Sequence, residues 1–257
     1  MILIKTEEEI AFLKASNDLV SKTLAEVARA IGPGVTTLSL DRIAETYIRD
    51  HGGEPGFLGY NGFPATLCTS KNDEVVHGIP SEDVLLEGDI LSVDCGVKLN
   101  GYFGDSAYTF SVGKSDAARE ALLSCTKESL FKGIERAVPG NRLGDIGQAI
   151  QQHAERAGYS VVREMVGHGV GKQLHEEPEV PNYGRRGSGI KLKEGMTLCI
   201  EPMINLGSRH IQQDSDGWTI RTKDRQPSAH FEHAIAIGKR EAVILSTFKY
   251  IEEVLNK

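Results

Sequence analysis

Residues 93–110 read VDCGVKLNGYFGDSAYTF, two strand-like runs joined by Asn100-Gly101. Both central residues of a type I′ turn take positive φ, which Asn and Gly tolerate best, and the turn matches the right-handed twist of the strands it joins. The dipeptide therefore predicts a two-residue hairpin and, with it, a register: Leu99 pairs with Tyr102, Gly96 with Asp105 and Asp94 with Ala107. Side chains alternate between the faces of a sheet, so Asp94 and Asp105 stand on one face as diagonal neighbours, with Cα atoms roughly 7–8 Å apart. If the apolar residues around them are buried, two such carboxylates repel unless one stays protonated or a cation lies between them. The alternative is an open sheet face on which both stand in water.

The rest of the chain arranges itself around that hairpin. Thr6 and Glu9 read as a capping box, and Ile10, Leu13, Val20, Leu24, Val27 and Ile31 recur at helical spacing until Gly32-Pro33-Gly34. A second helix carries Leu40, Ile43, Ala44, Tyr47 and Ile48 and ends at Gly52-Gly53, after which strand-like runs occupy about 65–112. Ser115 is positioned to cap a third helix running to about Ala137. Leu143, Ile146, Ile150, Ala154 and Ala157 define a fourth, closed by Gly158, before strands near 196–204, 218–223 and 229–237. The order is two helices then a sheet, twice. Pro33-Gly34 followed by Leu40-x-x-Ile43-Ala44 is echoed by Pro139-Gly140 followed by Leu143-x-x-Ile146-Gly147. Helix junctions often carry Pro-Gly on their own account, but together with the block order the echo predicts two pseudo-symmetric halves and a site at their seam.

The second half supplies its own acids. MTLCIEPMI places Glu201 in an apolar strand, SAHFEHAIAIG places Glu232 in another, and Asp216-Gly217-Trp218 reads as the turn between them. An unbroken ladder would set Glu201 opposite Glu232. With Pro227 between them the register is not expected to hold, so the prediction is only that two antiparallel strands each bring one acid. His168 in GHGVGKQLHEEP is a fifth candidate, flanked by glycines that let the backbone bend and the imidazole project; alone it reads as a loop residue. Four carboxylates and an imidazole exceed what a single zinc takes and suit two hard or borderline divalent ions sharing carboxylates.

Composition narrows the partners. A net charge of −7 argues against a general nucleic-acid or anionic-membrane binder. MILIKTEEEIAFLKAS lacks the pattern of a signal peptide, and no segment has the roughly 20 apolar residues of a membrane span. Cys68, Cys95, Cys125 and Cys199 are scattered, without the spacing of a disulfide framework or zinc ribbon, so the expected location is cytoplasmic.

With these residues in hand, the chain resembles the type I methionine aminopeptidases. The resemblance runs through LGYNGFPATLCTSKNDEVVHGIP, VDCGVKLNGYFGDSAYTF, GHGVGKQLHEEP, LCIEPMI and AHFEHAIAI. It implies an α+β pita-bread fold, two pseudo-symmetric halves with an antiparallel sheet core and flanking helices, and one catalytic metallopeptidase domain over 1–257. It implies two divalent metal ions, their identity open among cobalt, manganese, iron(II) and zinc. Asp94 would chelate one, His168 and Glu201 the other, and Asp105 and Glu232 would bridge both. Glu201 would accept a proton from the attacking water. His77 and His175 would contact substrate as further catalytic residues, and Tyr60, Phe63, Cys68, Leu174 and Trp218 would line the side-chain pocket. Read without the resemblance, those aromatic residues are equally core packing. The implied substrate is the N-terminal methionine of nascent polypeptides with a small second residue, and the implied state a cytoplasmic monomer working at or near the ribosome.

The chain departs from that pattern at Phe57, where many relatives carry cysteine, at Leu174, where many carry an aromatic residue, and at Cys95-Gly96, where threonine and valine are commoner; these departures bear on pocket shape. Prolidases and aminopeptidase P share the fold but typically add a large N-terminal domain, and here the first motif begins by about residue 57. Type II enzymes carry a helical insertion between the histidine and the first glutamate, which are only about 33 positions apart in this chain. A non-enzymatic binding protein of this fold would have lost ligands, and all five positions are filled.

Overall fold

The structure, a computed structural model, describes residues 2–256. Helix α1 (Glu7–Ala30) opens on the predicted capping box: Glu9 N–H donates to Thr6 Oγ1 and Thr6 N–H to Glu9 Oε2. Helix α2 (Thr37–Asp50) follows, then the short β1 (Glu54–Pro55), β2 (Leu67–Lys71) and β3 (Glu74–Val76). The hairpin forms as the turn dipeptide dictates. β4 (Ile90–Leu99) and β5 (Tyr102–Ser111) pair antiparallel with Leu99 opposite Tyr102, Gly96 opposite Asp105 and Asp94 opposite Ala107, and Asn100 and Gly101 have φ of 53° and 80°. β4 is flanked by β5 on one side and by β2 and β1 on the other.

The second half repeats the plan. Helix α3 (Ala117–Ile134) starts one residue later than expected, because the carboxylate of Asp116 rather than the hydroxyl of Ser115 takes the Arg119 N–H, and it stops short of Ala137. After α4 (Leu143–Arg156) come β6 (Ser160–Val161), β7 (Gly167–Gly169), β8 (Glu176–Val180), β9 (Thr197–Ile200) and β10 (Met203–Asn205). β11 (Ile211–Gln213), β12 (Ile220–Thr222), β13 (Ser228–His230), β14 (His233–Ile237), β15 (Ala242–Ile244) and α5 (Lys249–Leu255) complete the fold. The strands expected over 196–204 and 229–237 are each split. Pro202 has no N–H to give a ladder, and the chain leaves the sheet at Glu201-Pro202 and, opposite, at Phe231-Glu232.

The register, however, survives Pro227. His233 faces Ile200, Met203 faces His230 and Ile211 faces Thr222, equal counts of residue on both strands throughout, so Glu201 stands opposite Glu232 by count. The continuity rests on bonds outside the formal strands, Leu206 N–H to Pro227 O and Lys223 N–H to His210 O. The turn expected at Asp216 closes by Asp214 N–H to Thr219 O, with Asp216 Oδ1 accepting from Trp218 and Thr219 N–H.

The sequence echo has a structural counterpart. Gly34 N–H bonds Leu85 O and Leu85 N–H bonds Val35 O; in the second half Gly140 N–H bonds Leu192 O and Leu192 N–H bonds Asn141 O. Equal lengths of chain separate Leu85 from Asp94 and Leu192 from Glu201, so the first acid of each pair holds the same place in its half.

The seam lies along the free edge of β5. Phe103 N–H donates to Gly171 O, Ala107 O accepts from Glu232 N–H, and Ser106 Oγ–H and Thr109 Oγ1–H donate to the carbonyls of Glu232 and His230. Between these points α1 lies on β5. A Cβ on Gly104 would come within 2.6 Å of Asn17 N and Ser16 C, so only glycine permits that approach. The Asp105 N–H left over by the ladder is taken by Asn17 Oδ1 at 3.1 Å.

Candidate metal centre

Four elements bring the expected acids to one point. Asp94 and Asp105 project from one face of the β4–β5 hairpin, Glu201 from the end of β9, and Glu232 from the break between β13 and β14. His168 sits at the centre of β7. Its glycine neighbours bracket a shift in the β7–β8 register, and they let the chain pack closely. A Cβ on Gly167 would lie 2.3 Å from Cys199 O, and one on Gly169 2.4 Å from Glu177 O.

The cluster is buried and over-supplied with acceptors. His168 Nδ1 lies 2.9 Å from Gly169 O, and since a carbonyl only accepts, that nitrogen carries the proton and Nε2 presents a lone pair. Nε2 then faces Glu201 Oε1 at 3.4 Å and Asp105 Oδ2 at 3.8 Å, lone pair toward carboxylates. Burial, with a smaller push from His175, holds the imidazole down to about 3, so it is neutral. Asp94 Oδ1, Asp105 Oδ1 and Glu232 Oε1 are buried without a hydrogen-bond partner. Burial raises Asp94 to about 7, and Asp105, Glu201 and Glu232 well above the usual carboxylate range, with each acid's neighbours adding to the effect for the last three. Such orphaned, oxygen-rich donors around one bare imidazole nitrogen fit a hard or borderline divalent cation, which would remove the repulsion and satisfy the lone pairs.

One donor atom each from Asp105, His168, Glu232 and Cys199 lies within 4.8 Å of the others. Cys199 was not expected there. It shares the face of Glu201 at i−2, is fully buried, and its thiol is pushed well up by burial and then by Glu232. A ligating cysteine must be a thiolate, so the acids are the better donors and Cys199 is their packing floor.

The centre forms the base of a cavity of about 530 Å³. Tyr60, Phe63, Cys68, Leu174 and Trp218, all expected, line it, and Phe63 meets Trp218 edge to face at 5.1 Å. Phe57 joins them, and its ring would lie 2.5 Å from a Cβ on Gly96: the two departures occupy each other's space. His77 reaches the cavity with φ of 61°, an uncommon conformation for a residue with a side chain, because Gly78 is pinned to β2 by Thr69 N–H to Gly78 O. Burial, with a smaller contribution from His175, lowers its pKa to about 4. His175 stands at the mouth, with Nδ1 2.8 Å from Tyr60 Oη and its ring centroid 4.2 Å from that of His168. One pocket residue escaped the sequence reading. His230 lines the cavity beside Glu201, and its place two residues before Glu232, on the same face of a strand, was the available signal.

A buried acid and imidazole cluster under an apolar cleft, built where two similar halves meet, defines a metal-dependent hydrolase. Residues 11–239 match metallopeptidase family M24. The chain is 52% identical to a methionine aminopeptidase of Clostridium acetobutylicum over 92% of its own length and 95% of that protein's. It is 50% identical to methionine aminopeptidase 1 of Bacillus subtilis, over 96% of its own length and 99% of that protein's. The crystal structure of methionine aminopeptidase from Rickettsia prowazekii superposes with a TM-score of 0.95 at 42% identity, covering 96% of this chain and 100% of that one. The chain belongs to metallopeptidase family M24 and, within it, to the methionine aminopeptidases. Its fold is the expected α+β pita-bread arrangement, its family is one of metallopeptidases, and the donor atoms of Asp105, His168, Glu232 and Cys199 lie close enough together to hold an ion.

Proposed function

We propose that the chain removes N-terminal methionine from polypeptides whose second residue is small, as one catalytic domain holding two divalent ions. Asp94 would hold one ion, His168 and Glu201 the other, and Asp105 and Glu232 would serve both. The observation that carries this is the set of buried carboxylates gathered about the bare Nε2 of His168 at the base of an apolar cavity, three of them with an orphaned oxygen. When bound, such ions act as Lewis acids and lower the pKa of a water.

The chain's own groups do the rest. Glu201 accepts the proton of the attacking water and later yields it to the leaving amine. His175, steadied by Tyr60, donates a hydrogen bond to the carbonyl oxygen as charge develops there, and His77 positions the scissile amide. The cleft of Tyr60, Phe63, Cys68, Leu174 and Trp218 takes the thioether side chain, which packs well on rings. In this reading the protein is a cytoplasmic monomer acting on nascent chains at or near the ribosome. Among the described residues no helix is long and apolar enough to cross a membrane.

Metal analysis with peptide kinetics tests the proposal. Met-Ala and Met-Gly peptides should be cleaved, and Met-Lys, Met-Phe and Leu-Ala peptides poorly. Asp105→Ala should lose both ions and activity, whereas Cys199→Ala should keep its metal. Efficient cleavage of Xaa-Pro substrates with little action on Met-Ala, or full metal content in Asp105→Ala, would refute it.

A further inference from the structure

His230 has no place in the chemistry above, yet it is held in the site more firmly than most of it. Its backbone is clamped on both sides of the peptide: His230 N–H donates to Thr109 Oγ1 at 2.9 Å, and Thr109 Oγ1–H donates to His230 O at 2.7 Å. Across the ladder it faces Met203. The side chain is 2% exposed and lines the cavity, but its Nε2 has no hydrogen-bond partner. An unpartnered buried nitrogen is costly, so an imidazole is a poor choice for mere packing on this strand.

Glu201 stands beside it. Its two oxygens are divided between two imidazoles: Oε1 stands 3.4 Å from His168 Nε2, and Oε2 stands 3.8 Å from His230 Nε2. At 3.8 Å the second is too long for a hydrogen bond, but catalytic hydrogen bonds are often long before the site is loaded and tighten afterwards.

We propose that His230 is a positioning residue for Glu201, carrying its proton on Nε2 and donating it as a hydrogen bond to Oε2, so that Oε1 stays turned toward His168 and the ion. The inference rests on the ligand assignment proposed above and adds an outer partner to it. A carboxylate held by one oxygen has a fixed plane. The ion then meets a ligand already oriented, and the proton-accepting group keeps its aim during turnover. Outer partners of metal ligands of this kind commonly matter by about 10–100-fold in metal affinity or activity.

The test compares His230→Leu, which fills the space without a donor, with His230→Gln, whose amide nitrogen reaches a similar place. Cobalt(II) is the probe, followed by titration calorimetry and by its visible absorption spectrum, alongside kcat and KM on a Met-Ala peptide. His230→Leu should bind cobalt(II) more weakly and turn over about 10–100-fold more slowly, with KM little changed and an altered spectrum. His230→Gln should recover most of both. If the leucine variant does not fold, His230→Thr, whose hydroxyl is too short to reach Glu201, takes its place. A donor-less variant with parental affinity and kcat would overturn the role, as would a glutamine variant that falls as far as the leucine one. Parental protein that takes up no cobalt(II) would overturn the ligand assignment and the His230 role together.

Discussion

Replacing Asn17 with leucine probes how the first half presents Asp105. Leucine has the branching of asparagine, so the substitution keeps the shape while removing the amide. Asn17 is fully buried on α1, its Oδ1 accepts from Asp105 N–H at 3.1 Å and its Nδ2–H donates to Leu13 O at 2.9 Å. The Leu13 carbonyl also lies within a helix and loses little. The Asp105 N–H lies on the free edge of β5 under α1, where a Cβ on Gly104 would come within 2.6 Å of Asn17 N, so helix and strand backbones are closely packed beside it. Leaving that donor unsatisfied costs about 1–3 kcal/mol. For a chain of this size each kcal/mol moves the melting temperature by about 2–4 °C, so Asn17→Leu should melt roughly 2–12 °C lower. Thermal unfolding by circular dichroism reads the shift, and calorimetric titration with manganese(II) reads whether Asp105 has moved. An unchanged melting temperature together with parental metal affinity would show that the Asn17 contact is incidental.

Three further outcomes follow from the geometry. His175→Ala should lower kcat by about 10²–10³ while metal content by atomic absorption stays near parental, since in the proposed function it removes a donor to developing charge rather than a ligand. Burial holds the His233 imidazole, 2.6 Å from Ser246 Oγ and stacked on Phe248, down to about 3; the unfolded chain takes up its proton near 6.5, so stability falls as pH drops from about 6.5 toward 3. In denaturant titrations across that window, His233→Phe should show an acid limb shallower by at most one proton, about 1.4 kcal/mol per pH unit. Gly104→Ala drives a methyl against the backbone of α1 and should destabilise by about 1–3 kcal/mol or more, read as a lower urea midpoint; parental stability would mean the helix gives way freely.

The first half was readable because its information is local. Asn100-Gly101 fixes one turn, the turn fixes ten residue pairs, and the facing of Asp94 and Asp105 follows without reference to anything distant. The second half depends on contacts that sequence patterns do not encode. Pro227 looked like the end of a register, but the ladder is carried past it by backbone bonds such as Leu206 N–H to Pro227 O, which leave no mark on hydropathy. The glycines around His168 read as freedom to bend, and nothing in the sequence tells that they also answer the closeness of Cys199 O and Glu177 O on neighbouring strands. His230 was missed for a related reason: two polar residues sharing one strand face with Glu232 were legible, but their neighbour Glu201 is reached only through the long ladder.

The alternation of that ladder explains how two acid pairs come to face one another. Ile237 N–H bonds Met196 O, Phe231 N–H bonds Pro202 O and Leu206 N–H bonds Pro227 O, so these are the hydrogen-bonded pairs, and Glu232, opposite Glu201, turns its N–H and carbonyl to the outer edge. Pro202, unable to donate, only removes the return bond of its own pair with Phe231. The outward N–H goes to Ala107 O, the residue directly across from Asp94, and the Glu232 carbonyl takes the hydroxyl of Ser106. That outer edge is thus where the second half grips the edge of the first. The grip sets the acids of one half against those of the other, and in the proposed function the like charges that each sheet would exclude on its own become the lining of a shared cation site.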